Sequence, residues 1–290
     1  MWSVSRHQLW ERCQRAYFLE FVAPRLPRPP VAWHVLEALR ARSSFGVLRG
    51  QAVHAAIAHG IGAALAGQAP AHASQRALDA TLRGYARRPA ATIAEVANGF
   101  PPGPDALEAA RAEGQAMVAR FFAELWPRYA ARRYVQHEQF ERFRAAGSIT
   151  VRLRPDLVTA GPEGLLVSDW KTGHARPGDA AASLQLSTYL LWVARRYLLG
   201  PDRAAAELVF VASGEARPAH RTAAELARAE AAIAASARAM SAVEGVRRVE
   251  DAPPSPGPQC AACKFATVCA EGMAAARADA LPAIAGGGAG

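Results

Sequence analysis

The chain has 290 residues, 51% of them hydrophobic and 20% charged, with a formal net charge of +9 at neutral pH. That balance excludes a disordered or fibrous protein and allows a sizeable core, either one domain with insertions or a core plus a smaller lobe. No apolar run approaches the roughly 18 residues of a bilayer span and the start does not resemble a signal peptide, so a cytoplasmic protein is expected, and its basic surplus favours a polyanionic partner.

Of the 34 basic residues only two are lysines, Lys171 and Lys264. A coding bias towards Ala, Arg, Gly and Pro accounts for the pattern. Against that background a surviving lysine is either chance or a position where a compact ammonium serves and a planar guanidinium does not.

In chain order, Ser5 fits the N-cap of a first helix over residues 6–21, stopped by Pro24 and the prolines at 27, 29 and 30. Gly50-Gln51-Ala52-Val53-His54 opens a second helical region, rich in alanine. A long helix follows Asp105, because Leu107, Ala110, Met117, Phe121, Leu125 and Tyr129 recur at helical spacing. Residues 1–133 therefore read as a helical lobe. The period then changes: 134–143, 148–159 and 164–170 alternate or run apolar, with turns at Gly147 and at Gly161-Pro162-Glu163-Gly164, which predicts a β-meander. A helix over 180–199, a strand over 207–212 and a helix over 223–243 complete a core at 134–250. The Pro-rich stretch 253–258 leads into a cysteine segment at 251–280, and 281–290 reads as a disordered tail. The fold class is α/β, a small mixed sheet flanked by helices.

Two of these strands carry the candidate chemistry. One contains Arg154-Pro155-Asp156-Leu157-Val158, the other Leu165-Leu166-Val167-Ser168-Asp169-Trp170-Lys171-Thr172. Alternate strand residues share a face, so Asp169 and Lys171 point one way and Trp170 the other. Pairing through the Gly161–Gly164 turn brings Asp156 near Asp169. Two carboxylates and a lysine on one face suit oxygen-ligated Mg²⁺ or Mn²⁺, with the lysine orienting a water or neutralising developing charge. Asp-X-Lys alone is more often an ordinary ion pair. An apolar strand delivering three charges to one spot is poorly explained by stability, because exposed pairs contribute only about 0–1 kcal/mol.

Pro155-Asp156, twelve residues, then Asp169-Trp170-Lys171 resembles the signature of the PD-(D/E)XK nuclease superfamily, and in particular its RecB-like branch, which includes the AddB nuclease domain and CRISPR-associated adaptation nucleases. The resemblance implies a restriction-endonuclease-like core, Asp156 and Asp169 as metal ligands, Lys171 as the catalytic lysine, and the Trp170 carbonyl as a further ligand. It implies a metal-ligating histidine in a Gly-X-X-X-His context, matched by Gly50 and His54. It also implies a Gln-X-X-X-Tyr helix after the lysine strand, matched by Gln185 and Tyr189 at i and i+4. Where the family commonly has Gly-Arg before the first aspartate, this chain has Leu153-Arg154-Pro155.

There are four cysteines: Cys13 in the first helix, then Cys260, Cys263 and Cys269 as Cys-X2-Cys-X5-Cys. In a cytosolic protein such spacing points to metal rather than a disulfide, and four thiolates can hold zinc or an iron–sulfur cluster. One distant N-terminal cysteine plus a C-terminal trio resembles the [4Fe–4S] arrangement of AddB and the adaptation nucleases, which implies a structural staple. The implied activity is metal-dependent hydrolysis of DNA phosphodiesters, exonucleolytic on single-stranded ends, in DNA repair and recombination or in CRISPR spacer acquisition, with a helicase or an integrase as partner. The alternative is a catalytically silent DNA-binding or scaffolding subunit. No Gly-X4-Gly-Lys-Ser/Thr phosphate loop is present, so the chain itself is not a motor.

Overall fold

The computed structural model describes residues 1–285; the stretch 286–290 of the expected tail lies outside the described residues, and residues 281–285 continue the helix Ala270–Ala285. The chain divides into two compact units, each assembled from separated segments, instead of the sequential division 1–133, 134–250 and 251–280. The first combines Met1–Val4, Arg49–Arg83 and Leu107–Ala237, and the second combines Ser5–Leu48, Gly84–Ala106 and residues from Arg238 onward. The residues around His54 thus belong with the strands, not with the first helix.

The first unit is built on a five-stranded mixed sheet in the order β1 (Arg133–His137), β4 (Leu157–Gly161), β5 (Gly164–Lys171), β6 (Ala204–Phe210), β7 (Glu215–Ala219), and a separate hairpin joins β2 (Glu141–Ala145) to β3 (Ile149–Leu153). The expected meander therefore becomes a sheet with a hairpin inserted between two of its strands. Stretch 134–143 breaks at Glu138, whose φ of 51° is incompatible with a continuing strand. Stretch 148–159 breaks at Pro155, which can neither donate to a ladder nor leave its neighbour free. Chain after that break pairs with β1, so β1 lies beside β4.

β4 and β5 form an antiparallel pair closed at Gly161 and Gly164, with Leu157 opposite Ser168. Extending that register by one residue sets Asp156 opposite Asp169. β5 then runs parallel to β6 through the helix Leu184–Tyr197. This crossover helix is shorter than expected: Ser183 caps its start by accepting from the Leu186 N–H, and Leu198 ends it in the left-handed region at φ 55°. β7 is absent from the sequence expectation; it is an edge strand containing Pro218, whose polar, small residues lack an apolar alternation.

The two faces of β5 differ in kind. Trp170 is buried against Phe121 and Tyr129, with ring centroids 4.9 and 5.4 Å away. On that same side, buried Glu207 accepts hydrogen bonds from Tyr129 Oη at 2.7 Å, Ser168 Oγ at 2.6 Å and Arg128 Nη2 at 2.6 Å. Arg128 keeps access to solvent, but among the described residues the two hydroxyls have no substitute acceptor there. Glu207→Leu is therefore expected to destabilise by on the order of 1–3 kcal/mol for each orphaned hydroxyl. Urea denaturation checks this, and an unchanged midpoint would remove the structural role given to Glu207.

In the second unit the expected helix over 6–21 is interrupted. Helix Val4–Arg12 ends where Cys13 turns extended (φ −166°, ψ 111°), and Cys13 Sγ then accepts the Ala16 N–H to start the short helix Gln14–Tyr17. Lys264, the second lysine, bridges Glu20 Oε2 at 2.9 Å and the Arg40 carbonyl at 3.1 Å. Asn98 Nδ2 donates to the carbonyls of Ala261 and Cys263, both at 2.9 Å, which fixes the backbone of the cysteine segment.

Candidate active site

All six polar side chains singled out on the catalytic strands and helices lie within the first unit. Asp156 and Asp169 are buried, at 5% and 4% exposure. Asp156 Oδ2 accepts the Trp170 N–H at 2.6 Å, while its Oδ1 is 3.2 Å from His54 Nδ1. His54 reaches it from the helix Phe45–Leu65. On the same face of β5, Lys171 Nζ lies 2.5 Å from Asp169 Oδ2 and donates to Gln185 Oε1 at 2.8 Å. Asp169 Oδ1 in turn accepts from Gln185 Nε2 at 2.7 Å and Tyr189 Oη at 2.8 Å. Gln185 and Tyr189 meet one turn apart at 3.0 Å. Of Trp170, the amide is engaged with Asp156 and the indole is turned to the opposite face.

One further residue joins this group, one that no sequence motif marks. Glu138 Oε1 is 3.7 Å from His54 Nδ1, and its Oε2 is 3.0 Å from Arg154 Nε. Among the described residues, His54, Glu138 and Asp156 form the group whose metal-ligating atoms all lie within 4.8 Å of one another. The Glu138 side chain arrives through a positive φ that follows β1, and its amide is tied to the Pro155 carbonyl at 3.0 Å.

The electrostatics are those of a crowded anionic site. Burial raises the Asp156 carboxyl above its ordinary value and the Asp169 charge adds to this, with His54 opposing. Burial would lower His54, yet the adjacent Asp156 carboxylate outweighs it and holds the imidazole protonated well above its ordinary range. Tyr189 is pushed far up by burial and by Asp169, so its phenol stays protonated and donates. His54 and Lys171 thus supply the positive charge that clustered carboxylates require. The Glu138 and Asp156 carboxylates with the His54 imidazole form a donor set that a hard divalent cation fits, displacing the His54 proton.

The sequence from residue 1 to residue 270 matches the PD-(D/E)XK nuclease superfamily. The chain belongs to that superfamily. Its mixed sheet and flanking helices are the restriction-endonuclease-like core, and its members are nucleases acting on nucleic acid. A candidate exonuclease from Eubacterium rectale, solved by crystallography, is similar in fold: the TM-score is 0.50 at 13% identity, covering 91% of this chain and 86% of that one. No curated protein matches the chain. No helix is long and apolar enough to cross a membrane among the described residues.

The four cysteines lie in the second unit. Cys13, Cys260, Cys263 and Cys269 line one cavity, with Leu19 and Phe265 among its apolar walls. The donor set fits a thiolate-bound group. Arg15 Nη1 lies 3.5 Å from Cys269 Sγ, and a Cβ at Gly272 would stand 3.2 Å from Cys269 Sγ and 3.4 Å from Cys260 Sγ. Among the described residues the cysteine sulfurs form no trio within the 4.8 Å that unites His54, Glu138 and Asp156.

Proposed function

We propose that the chain is a Mg²⁺- or Mn²⁺-dependent deoxyribonuclease that hydrolyses DNA phosphodiesters, acting as an exonuclease on single-stranded ends. The observation that carries this reading is the pair of groups His54–Asp156 and Tyr189–Asp169–Lys171–Gln185, joined at β5 where Asp156 accepts the Trp170 N–H. In them every charged group has a partner and a defined orientation. His54, Glu138, Asp156 and Asp169 are the proposed cation ligands, and the Trp170 carbonyl remains a further candidate. When bound, the cation would polarise a phosphoryl oxygen and ease deprotonation of the attacking water.

The chain's own groups do the rest. Tyr189 and Gln185 occupy Asp169 Oδ1, which fixes the plane of that carboxylate. Gln185 Oε1 and Asp169 Oδ2 together aim the Lys171 ammonium towards the reacting phosphate. There it orients the water and offsets the charge that develops as the new P–O bond forms and the P–O bond to the leaving oxygen breaks. The exonuclease assignment follows the RecB-like resemblance and agrees with how the structural neighbour is named. On the same resemblance we assign a [4Fe–4S] cluster to Cys13, Cys260, Cys263 and Cys269, and a setting in DNA repair or CRISPR spacer acquisition beside a helicase or an integrase.

End-labelled single-stranded and duplex DNA, incubated with the protein in Mn²⁺, Mg²⁺ or EDTA, tests the reading. The expected result is metal-dependent release of short products from single-stranded ends and none in EDTA. Cleavage that persists in EDTA, or none with either cation, would overturn it.

A further inference from the structure

The hairpin of β2 and β3 carries a feature that neither the metal network nor the core uses. One side of the hairpin is buried, formed by Phe143, Ala145, Val151 and Leu153. The other presents Arg142 and Arg144 on β2 and Arg152 on β3, with Arg142 directly opposite Arg152. Like charges facing each other across a strand pair are destabilising. Phe140 and Arg154, one residue beyond the paired ends, share the same parity and extend this face. Phe140 is 61% exposed, unusual for a large aromatic, with the Arg152 guanidinium 3.9 Å and the Arg154 guanidinium 5.2 Å from its ring centroid.

Two like charges face each other across the strand pair, offset only in part by the Arg152 guanidinium over the exposed Phe140 ring, and neither the arginines nor the ring adds to the core. Together they match the two surfaces of a single strand of nucleic acid, phosphates for guanidinium groups and a base for the ring. The face is also joined to the metal network: Arg154 holds Glu138 at 3.0 Å, and Asp156 follows Arg154 by two residues. We propose that Phe140, Arg142 and Arg152 form a single-strand platform, on which one base next to the cleaved phosphodiester stacks on Phe140 while neighbouring phosphates pair with the arginines. This rests on the nuclease reading and adds the means by which that site receives and positions its strand.

Binding of a fluorescent oligo(dT) is measured by anisotropy with Ca²⁺ in place of Mg²⁺, beside an oligonucleotide of equal charge whose central residues are abasic. Phe140→Ala is expected to weaken oligo(dT) binding by about 5- to 160-fold, the range of one base–aromatic stack, with Phe140→Trp close to wild type. On the abasic strand, wild type and Phe140→Ala should bind alike. Replacing Arg142 and Arg152 by Gln should lower the dependence of log Kd on log salt by about 0.7 for each phosphate that is no longer neutralised. Equal binding of oligo(dT) by Phe140→Ala and wild type, or an equal weakening on both strands, would overturn the platform. If the wild type cleaves in Mn²⁺ and Phe140→Ala binds and cleaves like it, the platform fails and the nuclease reading stands. If no cleavage occurs but binding depends on Phe140 and on bases, the platform stands and the nuclease reading fails.

Discussion

Asp169→Asn is expected to abolish metal-stimulated cleavage, by at least about 10²–10³-fold, while leaving the fold intact. The substitution is nearly isosteric, and the Asn carbonyl can still accept the hydrogen bonds now made to Oδ1 by Tyr189 and Gln185. What disappears is the negative charge that would hold the cation and that faces Lys171 Nζ at 2.5 Å. Lys171→Ala should match it in rate, because no other lysine belongs to the site. Lys171→Arg should fail as well. The ammonium fits between Asp169 Oδ2 and Gln185 Oε1, 2.8 Å from the latter, and a longer planar fork cannot occupy that point without displacing one of them. Melting curves and initial cleavage rates on the same preparations check this, and wild-type cleavage by Asp169→Asn would remove the active-site assignment.

The contrast between Asp169 and Glu138 explains how much of this site is legible in a sequence. Asp156, Asp169 and Lys171 follow from two local rules: strand side chains alternate, and a tight turn at Gly161–Gly164 sets the register. Gln185 and Tyr189 come from the family resemblance, and helical spacing adds only that the two share one face. Glu138 follows from no such rule, since its placement depends on a backbone reversal that alternation conceals, within a stretch that reads as one strand. The same limit governs the fold. Pro155 marks a break, but only long-range pairing decides that the chain after it joins β1 and leaves β2 and β3 as a separate hairpin. The interruption of the first helix at Cys13 is likewise hidden, because the helical pattern continues through a residue whose thiol serves as an N-cap. Interleaving of the two units is invisible for the same reason: local periodicity carries no information about which distant segments share a core.

Removing one cysteine should give the opposite pattern to Asp169→Asn, a loss of stability with catalysis impaired only through the folded fraction. Cys13 stands 247 positions before Cys260, yet both border one cavity, so a group bound by them closes almost the whole chain into a loop. A crosslink of that span restricts the unfolded ensemble, and thiolate ligation couples binding of the group to folding. Taking about 3 kcal/mol for such a staple, at the scale of other long-loop crosslinks, melting should fall by roughly 6–12 °C in a chain of this size. Cys13→Ala and Cys269→Ala are the variants to compare. Cys13 also caps the helix Gln14–Tyr17, so Cys13→Ser separates the two roles: serine can keep the cap accepted from Ala16 but is a poor replacement for a thiolate ligand. Wild-type protein prepared anaerobically with iron should be brown, and all three variants should lose colour, melt lower and be cut sooner by protease within Ser5–Leu48 and 238–285. A colourless wild type carrying stoichiometric zinc would replace the cluster with zinc and leave the nuclease site untouched. A Cys13→Ala protein that keeps both its colour and its melting temperature would show that Cys13 is no part of the staple.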